Sequence, residues 1–567
     1  MIRTARICSL AQVVVLGCSS AHAQYEPPVA DVQTVEADLV LSNANIYTPN
    51  GWVESLAVAG NVIIALGGEA EIKPHIHETT RVIDVEGATV VPGLHDMHVH
   101  PALAGFEEMS CKITQGAPLD QVFRTVAVCV SRAPPGDWIV GRAYDPEAFG
   151  DSSPHKSMLD EVAPDNPVLL NDISGHTAWV NSAALEMVGY TKDTPDPDGG
   201  VIVRDTEGEP TGLLHEAAMG PVYDVIPKAS REVHAQATKW GLDRMLENGI
   251  TALVDASTSE SDALAYADLA DQGVLKQRVR GCLWAADKNV IPRRNLYLRE
   301  RFKPDCVKIF LDGVPTDSHT AAMVDPYMTN PDHEIAGEDK GMLMIPAETA
   351  AEMTVRFDAM GFVVKFHSAG DQAVRTALDA IEQARKLNGL NGLRHNPGHT
   401  TFIQLSDIER AKQLGATLEF SPYIFSPSPI VVNIAKAVGE ERMRRMYAFK
   451  DSLDAGVHTV VGSDWPVVPF VSPWIAIETM VTRQAPGGSE DSVAPDQAIT
   501  LKQAIDMFTI EAARQLNTAS YTGSIEVGKL ADLVVLDRNV FEIPITELHE
   551  TKTLRTFIDG EEVYTVE

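Results

Sequence analysis

The sequence predicts an α/β protein: a (β/α)8 TIM barrel joined to a small β-sandwich that both chain ends build. Three observations predict this fold. Short apolar runs alternate with helical patterns through the middle of the chain, as parallel strands with crossover helices do. Eight such runs can be counted, which is the number that closes a barrel. Short strand-like runs separated by turn residues occupy both chain ends, at residues 37–90 and 521–567.

The two ends share one character. Near the start, "SLAVAGNVIIALGG" and its neighbours are broken by Asn-Gly at 50–51 and Gly-Asn at 60–61, which are hairpin-turn signals. Near the finish, "GSIEVGKLADLVVLDRN" repeats the pattern of short apolar runs and turns. We therefore expect residues 37–90 and 521–567 to form one sandwich domain.

The predicted barrel takes up residues 91–520. After its first strand, residues 104–235 are too long for a loop and include the hairpin-like "GGVIVRDTEGEPTGLL", so we expect an insertion over the barrel mouth. The eight predicted strands are "TVVPGLHDMHVH", "GITALVDAS", "RVRGCLW", "CVKIFLDG", "FVVKFHSAGD", "PGHTTFI", "ATLEFSPY" and "HTVVGSDWP".

Composition limits the partners. The 567-residue chain is 44% hydrophobic, enough for a large core, and carries a formal net charge of -33. Nucleic acids and anionic membranes both require a basic face, so this charge argues against either partner. We expect a small-molecule substrate, no membrane span after the first residues, and leave a homo-oligomer open.

The first residues are typical of a secretory signal peptide. Arg3 and Arg6 precede an apolar region and Ala-His-Ala, which predicts cleavage after Ala23 and a secreted or periplasmic location. A lipoprotein-type cleavage at Cys18 is the rival. Removing residues 1–23 leaves four of the six cysteines, too few for a disulfide scaffold. Cys111 and Cys129 can either pair or remain buried thiols.

Polar side chains of metal-ligand type end several predicted strands. In "PGLHDMHVHP", two histidines one residue apart project from the same face of a strand, which is a chelating geometry. Active sites of such barrels lie at the carboxyl ends of the strands, so ligands from different strands meet there. The candidates are His98 and His100 from the first strand, Lys308 from the fourth, His367 from the fifth, His399 from the sixth and Asp464 from the eighth.

In this order, the motifs "VVPGLHDMHVHP", "GHTAWVNSAAL", "CVKIFLDG", "FHSAGDQAV", "GSDWPV" and "GSIEVGKLADLVVLD" resemble those of the amidohydrolase superfamily. The resemblance is closest to its YtcJ-like branch, the amidohydrolase 3 family, which includes N-substituted formamide deformylases. It covers nearly the whole mature chain.

The resemblance implies a cofactor of one or two divalent ions, with zinc expected. His98 and His100 match the pair that binds the more buried ion, and Asp464 matches the carboxylate that contacts this ion and serves as base. His367 and His399 match the ligands of the more exposed ion.

Lys308 matches a lysine that many members of the family carboxylate to a bridging carbamate. An ammonium group has no lone pair for a metal, so Lys308 becomes a ligand only after carboxylation. Lys365, on the same strand face as His367, is a rival candidate.

The sequence departs from the family pattern at three places. His95 replaces a common apolar residue and is interpreted as a packing residue or a neighbour of the ligands. The sequence at strand six is "PGHTT", which leaves His395 as an alternative to His399 for the ligand from this strand. His319 stands where relatives often have Arg, a change expected to affect substrate recognition.

The resemblance implies a hydrolase of carbon–nitrogen bonds other than peptide bonds. A metal-activated hydroxide would attack the carbonyl of a small amide, N-acyl or formamide-like compound. Asp464 would take up the proton and deliver it to the leaving nitrogen. From the insertion, His176 is a candidate to polarise the substrate; Asn181, Tyr144 and Trp465, like His319, are candidate pocket residues.

Two other functions fit the same residues. One is hydrolysis of a lactone or phosphoester, which uses the same ligands. The other is noncatalytic binding of a metal or small molecule in the cell envelope, against which Asp464 argues, because a binding protein needs no base. A fold resemblance alone does not establish activity.

Overall fold

The computed structural model describes residues 35–150, 152–173, 175, 177–316, 318–328, 338–424 and 428–566. The predicted signal peptide, residues 1–23, and its rival cleavage at Cys18 lie outside the described residues.

Eight parallel strands alternate with helices along the middle of the chain, which confirms the predicted α/β barrel class. Strands one to six form one sheet, and strands seven and eight a second. Barrel strands one to eight are Leu94–Val99, Ile250–Thr258, Arg278–Trp284, Phe302–Phe310, Val363–Ser368, Asn396–His399, Thr417–Phe420 and His458–Val461.

Backbone hydrogen bonds join the two sheets at both edges. The amide of Thr417 donates to the carbonyl of His395, which links strands six and seven. The amide of Asp464 donates to the carbonyl of His98, which links strands eight and one. The barrel is therefore nearly closed, and polar residues at the ends of distant strands become neighbours.

Helices follow the strands and bury one face against them. In Asp371–Asn388, for example, small and aliphatic residues recur every three or four positions on the buried side. The helices of the barrel are Arg231–Leu246, Glu260–Asp271, Arg294–Tyr297, Ala347–Ala359, Asp371–Asn388, Leu405–Leu414, Pro429–Val438, Glu440–Met443, Phe449–Ala455, Pro473–Thr482, Leu501–Phe508 and Ile510–Gln515.

The segment after strand one builds a sheet of its own. Its strands, in spatial order, are Gly200–Arg204, Pro210–Glu216, Thr177–Val180, Val168–Asp172, Ile139–Tyr144 and Cys111–Lys112. The accompanying helices are Pro101–Met109, Leu119–Arg132, Lys156–Val162, Ser182–Val188 and Gly220–Val225. Helix Arg231–Leu246 packs against Pro101–Met109 and also against the barrel helix Glu260–Asp271, and the predicted bounds of the insertion, 104–235, stay a prediction.

Two further sheets are built near the chain ends, and the second of them contains strands from both ends. One contains Leu39–Ser42, Ser55–Ala59, Val62–Gly67 and Arg81–Asp84, with helix Glu69–Ile72 nearby; the other contains Asn45–Thr48, Gly51–Val53, Thr89–Pro92, Leu533–Leu536, Thr553–Ile558 and Glu561–Thr565. Leu41, Leu56, Val90, Leu533 and Phe557 fill a shared apolar core. Residues 89–92, predicted as the start of barrel strand one, therefore belong to the second of these sheets.

Two disulfides cross-link the part of the chain that the structure describes. Cys111 pairs with Cys129, one of the two states that the sequence left open. Cys282 pairs with Cys306, its neighbour in register on strands three and four, a pairing that the sequence did not predict. Among the described helices, none has the length and apolar character needed to cross a membrane.

Candidate active site

Strands one and eight bring three potential ligands together. Nε2 of His98 lies 3.6 Å from Oδ1 of Asp464, and Nε2 of His100 lies 3.3 Å from the same oxygen. One ligand atom from each residue falls within 4.8 Å of the others. Two imidazole nitrogens and a carboxylate oxygen at this spacing form a cradle that fits a divalent ion.

The backbone around Asp464 explains how this cradle forms. A Cβ on Gly462 would lie 2.2 Å from the Cβ of His98, so only glycine lets strand eight approach strand one here. Asp464 has a φ of 60°, and its amide donates to the carbonyl of His98 at 2.7 Å. A left-handed backbone is uncommon for a residue with a side chain and is often found at functional sites.

Strands five and six add two more imidazoles. The ring of His399 lies 4.4 Å from the ring of His367 and 4.4 Å from that of His98, centroid to centroid. Nδ1 of His399 is 3.9 Å from Oδ2 of Asp464 and 3.1 Å from Oγ of Ser421. All four predicted histidine ligands therefore surround Asp464 or a histidine that contacts it.

Carboxylates hold the outer nitrogens of two of these rings. Nδ1 of His98 lies 2.6 Å from Oε1 of Glu419, and Nδ1 of His367 lies 3.0 Å from Oδ1 of Asp312. A carboxylate accepts a hydrogen bond from Nδ1–H, which leaves the lone pair of Nε2 available. This carboxylate–histidine arrangement is typical of metal-ligating histidines.

Burial keeps the imidazoles in the form that binds a metal. It lowers the pKa of His98 well below the usual value, and the positive charges of Lys308 and Lys365 lower it further. The pKa of His399 is also well below the usual value, again because of burial first and then because of His367. Neutral imidazole is the ligand form, so these groups are ready to coordinate near neutral pH.

The two buried lysines differ in their partners. Lys365 donates to Oε2 of Glu419, so its charge is neutralised. The partner of Lys308 among the described side chains is Nε2 of His98, at 3.3 Å. Burial, and then the neighbouring Lys365, lowers the pKa of Lys308 to about 7. Lys308 therefore lies against the cradle with a substantial neutral fraction at neutral pH.

The structure distinguishes the strand-six histidines. His395 lies at the opposite end of the strand, where its Nε2 contacts Asp358 at 2.8 Å and its Nδ1 accepts from the amide of Val364 at 2.9 Å. Both of its ring nitrogens are used. His399, not His395, is the one beside the cradle.

Two predicted pocket residues lie elsewhere. Tyr144 is buried in the core of the insertion, where its ring packs against Phe149 and Trp179. Asn181 precedes helix Ser182–Val188, accepts from the amides of Val168 and Ala184, and donates to the carbonyls of Ala163 and Asn166. In the described structure Tyr144 is a packing residue and Asn181 a helix cap, and their part in substrate binding stays a prediction. His176 lies outside the described residues.

The remaining predicted residues have these positions. His319 lies in the loop after strand four, contacts Asp339 at 2.5 Å and stacks on Tyr327 at 4.2 Å. Trp465 directly follows Asp464 and stacks on Trp240 at 6.1 Å. Trp465 is therefore adjacent to the cradle in the chain, while the part of His319 in recognition stays a prediction.

Sequence reasoning missed the carboxylates behind the ligands. Glu419 contacts His98 and Lys365 together, and Asp312 accepts from the amides of Ala369 and Gly370 as well as from His367. The available signal was an acidic residue within an apolar strand or at its end, in "TLEF" and "FLDG". A buried acid in such a run needs a partner, and here the partner is a candidate ligand.

The fold and the cradle together define a class of protein: a (β/α)8 barrel with a histidine–aspartate site for a divalent ion at the carboxyl ends of its strands. The donor set passes a chemical test of this assignment, because imidazole and carboxylate are the ligands that divalent transition metals such as zinc prefer.

Comparisons with known proteins place the chain more narrowly. The sequence model of the amidohydrolase family matches residues 81–564, so the chain belongs to that family. It is 30% identical to an N-substituted formamide deformylase of Arthrobacter pascens, over 92% of this chain and 97% of that protein. It is also 30% identical to the protein LONG AFTER FAR-RED 3 of Arabidopsis thaliana, over 94% of this chain and 92% of that protein.

Solved structures show the same fold. A metal-dependent hydrolase from Pyrococcus horikoshii superposes with a TM-score of 0.72 at 24% identity, covering 89% of this chain and 99% of that one. The atrazine chlorohydrolase TrzN of Arthrobacter aurescens, complexed with zinc, gives 0.51 at 12% identity, covering 93% and 95%. These similarities show the shared fold, the family match makes the chain a hydrolase of the amidohydrolase family, and the cradle supplies residues that could hold a divalent ion.

Proposed function

We propose that this protein hydrolyses the carbon–nitrogen bond of a small, non-peptide amide, an N-acyl or formamide-like compound, with one or two zinc ions. The observation that carries the proposal is the position of Asp464. Its carboxylate lies between the imidazoles of His98, His100 and His399, where it can serve both as ligand and as base. The similarity to a formamide deformylase supports the choice of bond.

His98, His100 and Asp464 would hold one ion, and His367 and His399 a second. A divalent ion at such a site polarises a carbonyl and lowers the pKa of water. Glu419 and Asp312 keep the ligand rings oriented by accepting from Nδ1.

Asp464 moves the proton. Its Oδ1 faces His100 and its Oδ2 faces His399. Either oxygen can therefore accept a proton from the attacking water while the other keeps its contact with an imidazole. The same oxygen can then return the proton to the leaving nitrogen, which departs as an amine.

Lys308, rather than Lys365, is the lysine that we propose is carboxylated. Carbamate formation requires a neutral amine. Burial lowers the pKa of both lysines, but Lys365 is bonded to Glu419, which favours its ammonium form. Nζ of Lys308 lies against Nε2 of His98, and its pKa is lowered to about 7.

The first experiment measures metal per chain by inductively coupled plasma mass spectrometry, on protein purified without chelator in 13C-bicarbonate. We expect one to two zinc ions and a 13C-NMR carbamate signal that disappears in Lys308→Ala. The matched control is Lys239→Ala, which removes a surface lysine paired with Asp243 and should keep the signal.

The metal-loaded protein is then assayed on a panel of N-alkyl amides, imides, lactones and phosphoesters. Turnover of amides that chelation abolishes and zinc restores supports the proposal. Turnover of only lactones or phosphoesters moves the protein to the alternative hydrolase class. Metal binding with no turnover on any of these bonds supports a binding protein instead.

We also propose that residues 1–23 direct export and are removed. The intact mass of the mature protein tests this: a chain that begins at Gln24 supports it. A lipid-modified chain that begins at Cys18 contradicts it in favour of anchoring.

A further inference from the structure

Trp284, the last residue of barrel strand three, has an unusual environment. Its side chain is 51% exposed. Among the described residues of the eight barrel strands, it is the only large apolar side chain that is exposed. The interior of such a barrel is normally filled by packed side chains, so an open indole on a strand suggests a contact with something else.

The register of the sheet shows where Trp284 points. Cys282 and Cys306 belong to a buried cluster to which six barrel strands contribute one residue each, and only the barrel interior allows such mutual contact. Trp284 lies two residues after Cys282 on strand three, and Lys308 lies two residues after Cys306 on strand four. Trp284 and Lys308 are paired in the register of these strands. Alternate residues of a strand share a face. Trp284 therefore faces the inside of the barrel, next to Lys308 and on the side of the cradle.

A second aromatic ring lies on the same face. Phe310 follows Lys308 by two residues and ends strand four. Its ring is parallel to that of His367 within 25°, with centroids 5.6 Å apart, and Nζ of Lys308 lies 5.1 Å from its centre. From the strand spacing and rise, the Cα atoms of Phe310 and Trp284 are roughly 8 Å apart. The two residues therefore stand on the same face of the sheet, on either side of Lys308 along the diagonal.

We propose that Trp284 and Phe310 form a substrate subsite that binds a flat aromatic substituent of the amide and so determine specificity. The inference rests on the proposed amide hydrolysis and names the substrate class within it. Indole and phenyl faces prefer another ring, in offset or edge-to-face contact, to an aliphatic group of the same size. In a formamide the only substituent is on nitrogen, so the ring would belong to the leaving amine.

A matched pair of substrates isolates this contact. N-(2-phenylethyl) and N-(2-cyclohexylethyl) amides have the same carbon count and differ in the flat π face. With the acyl group that the amide panel selects, we expect kcat/KM for the phenyl compound to be higher by ~3- to 10-fold, from the usual strength of aromatic pairs.

Three variants test whether Trp284 is responsible. In Trp284→Leu the ratio should fall to about one, chiefly through KM, and Trp284→Phe should retain most of it because a ring remains. Trp52→Leu is the control, since Trp52 is 47% exposed but lies in the terminal strand Gly51–Val53, and it should leave the ratio unchanged. A wild-type ratio near one, or a ratio that Trp284→Leu does not alter, would overturn the proposal.

A binding measurement separates this inference from the proposed function. In zinc-loaded Asp464→Asn protein, N-(2-phenylethyl)acetamide should quench intrinsic tryptophan fluorescence, and adding Trp284→Leu should remove the saturable part of the quench, whereas Trp52→Leu should not. If wild-type protein hydrolyses no amide while this quench persists, the proposed function fails and the aromatic subsite stands. If amides are hydrolysed but neither the ratio nor the quench depends on Trp284, the subsite fails and the function stands.

Discussion

The two ends of the barrel use histidine in different ways. At the carboxyl ends of the strands, His98 and His367 each give Nδ1 to a carboxylate and keep Nε2 free of a protein carboxylate at hydrogen-bond distance. At the opposite end, His395 gives Nε2 to Asp358 and accepts with Nδ1 from the backbone of strand five. Buried histidines near one another in sequence can thus be ligands or structural residues.

The difference teaches that the partners of the ring nitrogens, rather than residue type, separate a candidate ligand from a structural histidine. Nε2 of His98 faces Lys308 and Asp464 in the cradle, whereas both nitrogens of His395 are bonded away from it. His395, with both nitrogens bonded to groups away from the cradle, stabilises the fold and offers no lone pair to a metal there. Substitutions at the carboxyl ends of the strands should therefore reduce activity or metal content, whereas substitutions at the opposite end should reduce stability.

The largest effect is expected for Asp464→Asn. The amide cannot accept the proton, so kcat should fall by ~10²- to 10⁴-fold, the usual contribution of a general acid or base. Steady-state kinetics with the preferred amide measure kcat, and metal analysis shows whether the variant still binds the ion. Full turnover with metal still bound would show that Asp464 is not the base.

Glu419→Gln should weaken metal binding. The amide no longer balances the charge of Lys365 and orients His98 less well, and loss of such a partner typically costs ~10- to 100-fold in metal affinity. Competition with a fluorescent chelator measures the affinity. Glu478→Gln is the matched control, because Glu478 is also buried and bonded to a histidine, His549, at 2.8 Å. Equal losses in the two variants would contradict a specific part for Glu419.

His395→Ala should change stability and leave the metal in place. The substitution removes two buried hydrogen bonds and leaves Asp358 and the amide of Val364 without this partner, at a cost of about 1–3 kcal/mol in the free energy of unfolding. Urea unfolding measures the cost. A fall in metal content in the folded variant would break the distinction between the two ends.

The smallest effect concerns pH. Burial, reinforced by Arg278, lowers the pKa of His95 to about 3. Between the ordinary histidine pKa of about 6.5 and this value, the unfolded chain binds the proton more readily. The folded state should therefore lose stability as the pH falls, and keep the full contribution above pH ~6.5.

His95→Leu should remove this pH dependence. A lowered pKa is worth about 1.4 kcal/mol per unit, so wild type should lose roughly 2 kcal/mol more than the variant between pH 6.5 and 5. Urea midpoints of both proteins at the two pH values give the difference, in which the titration of the shared metal ligands cancels. Parallel shifts of the two midpoints would contradict the assignment.

Local patterns were enough to predict the barrel strands and the rim on which most candidate ligands lie. His98, His100, His367 and Asp464 end runs of apolar residues, and a parallel barrel places such ends on one rim. The same reasoning could not locate Tyr144, which lies in the core of the insertion, because a single insertion residue has no register that links it to the rim.

What the sequence alone determined is the residue types at the strand ends, since strand periodicity fixes the face on which each side chain stands. Only the tertiary structure decided which hydrogen-bond partners each of these side chains has. Glu419 lies 321 positions from His98 in the sequence, yet it contacts that ring. It also bonds to Lys365, and this bond is what distinguishes Lys365 from Lys308. Such partnerships depend on barrel closure and register, which bring distant strands within hydrogen-bond distance and leave no local trace in the chain.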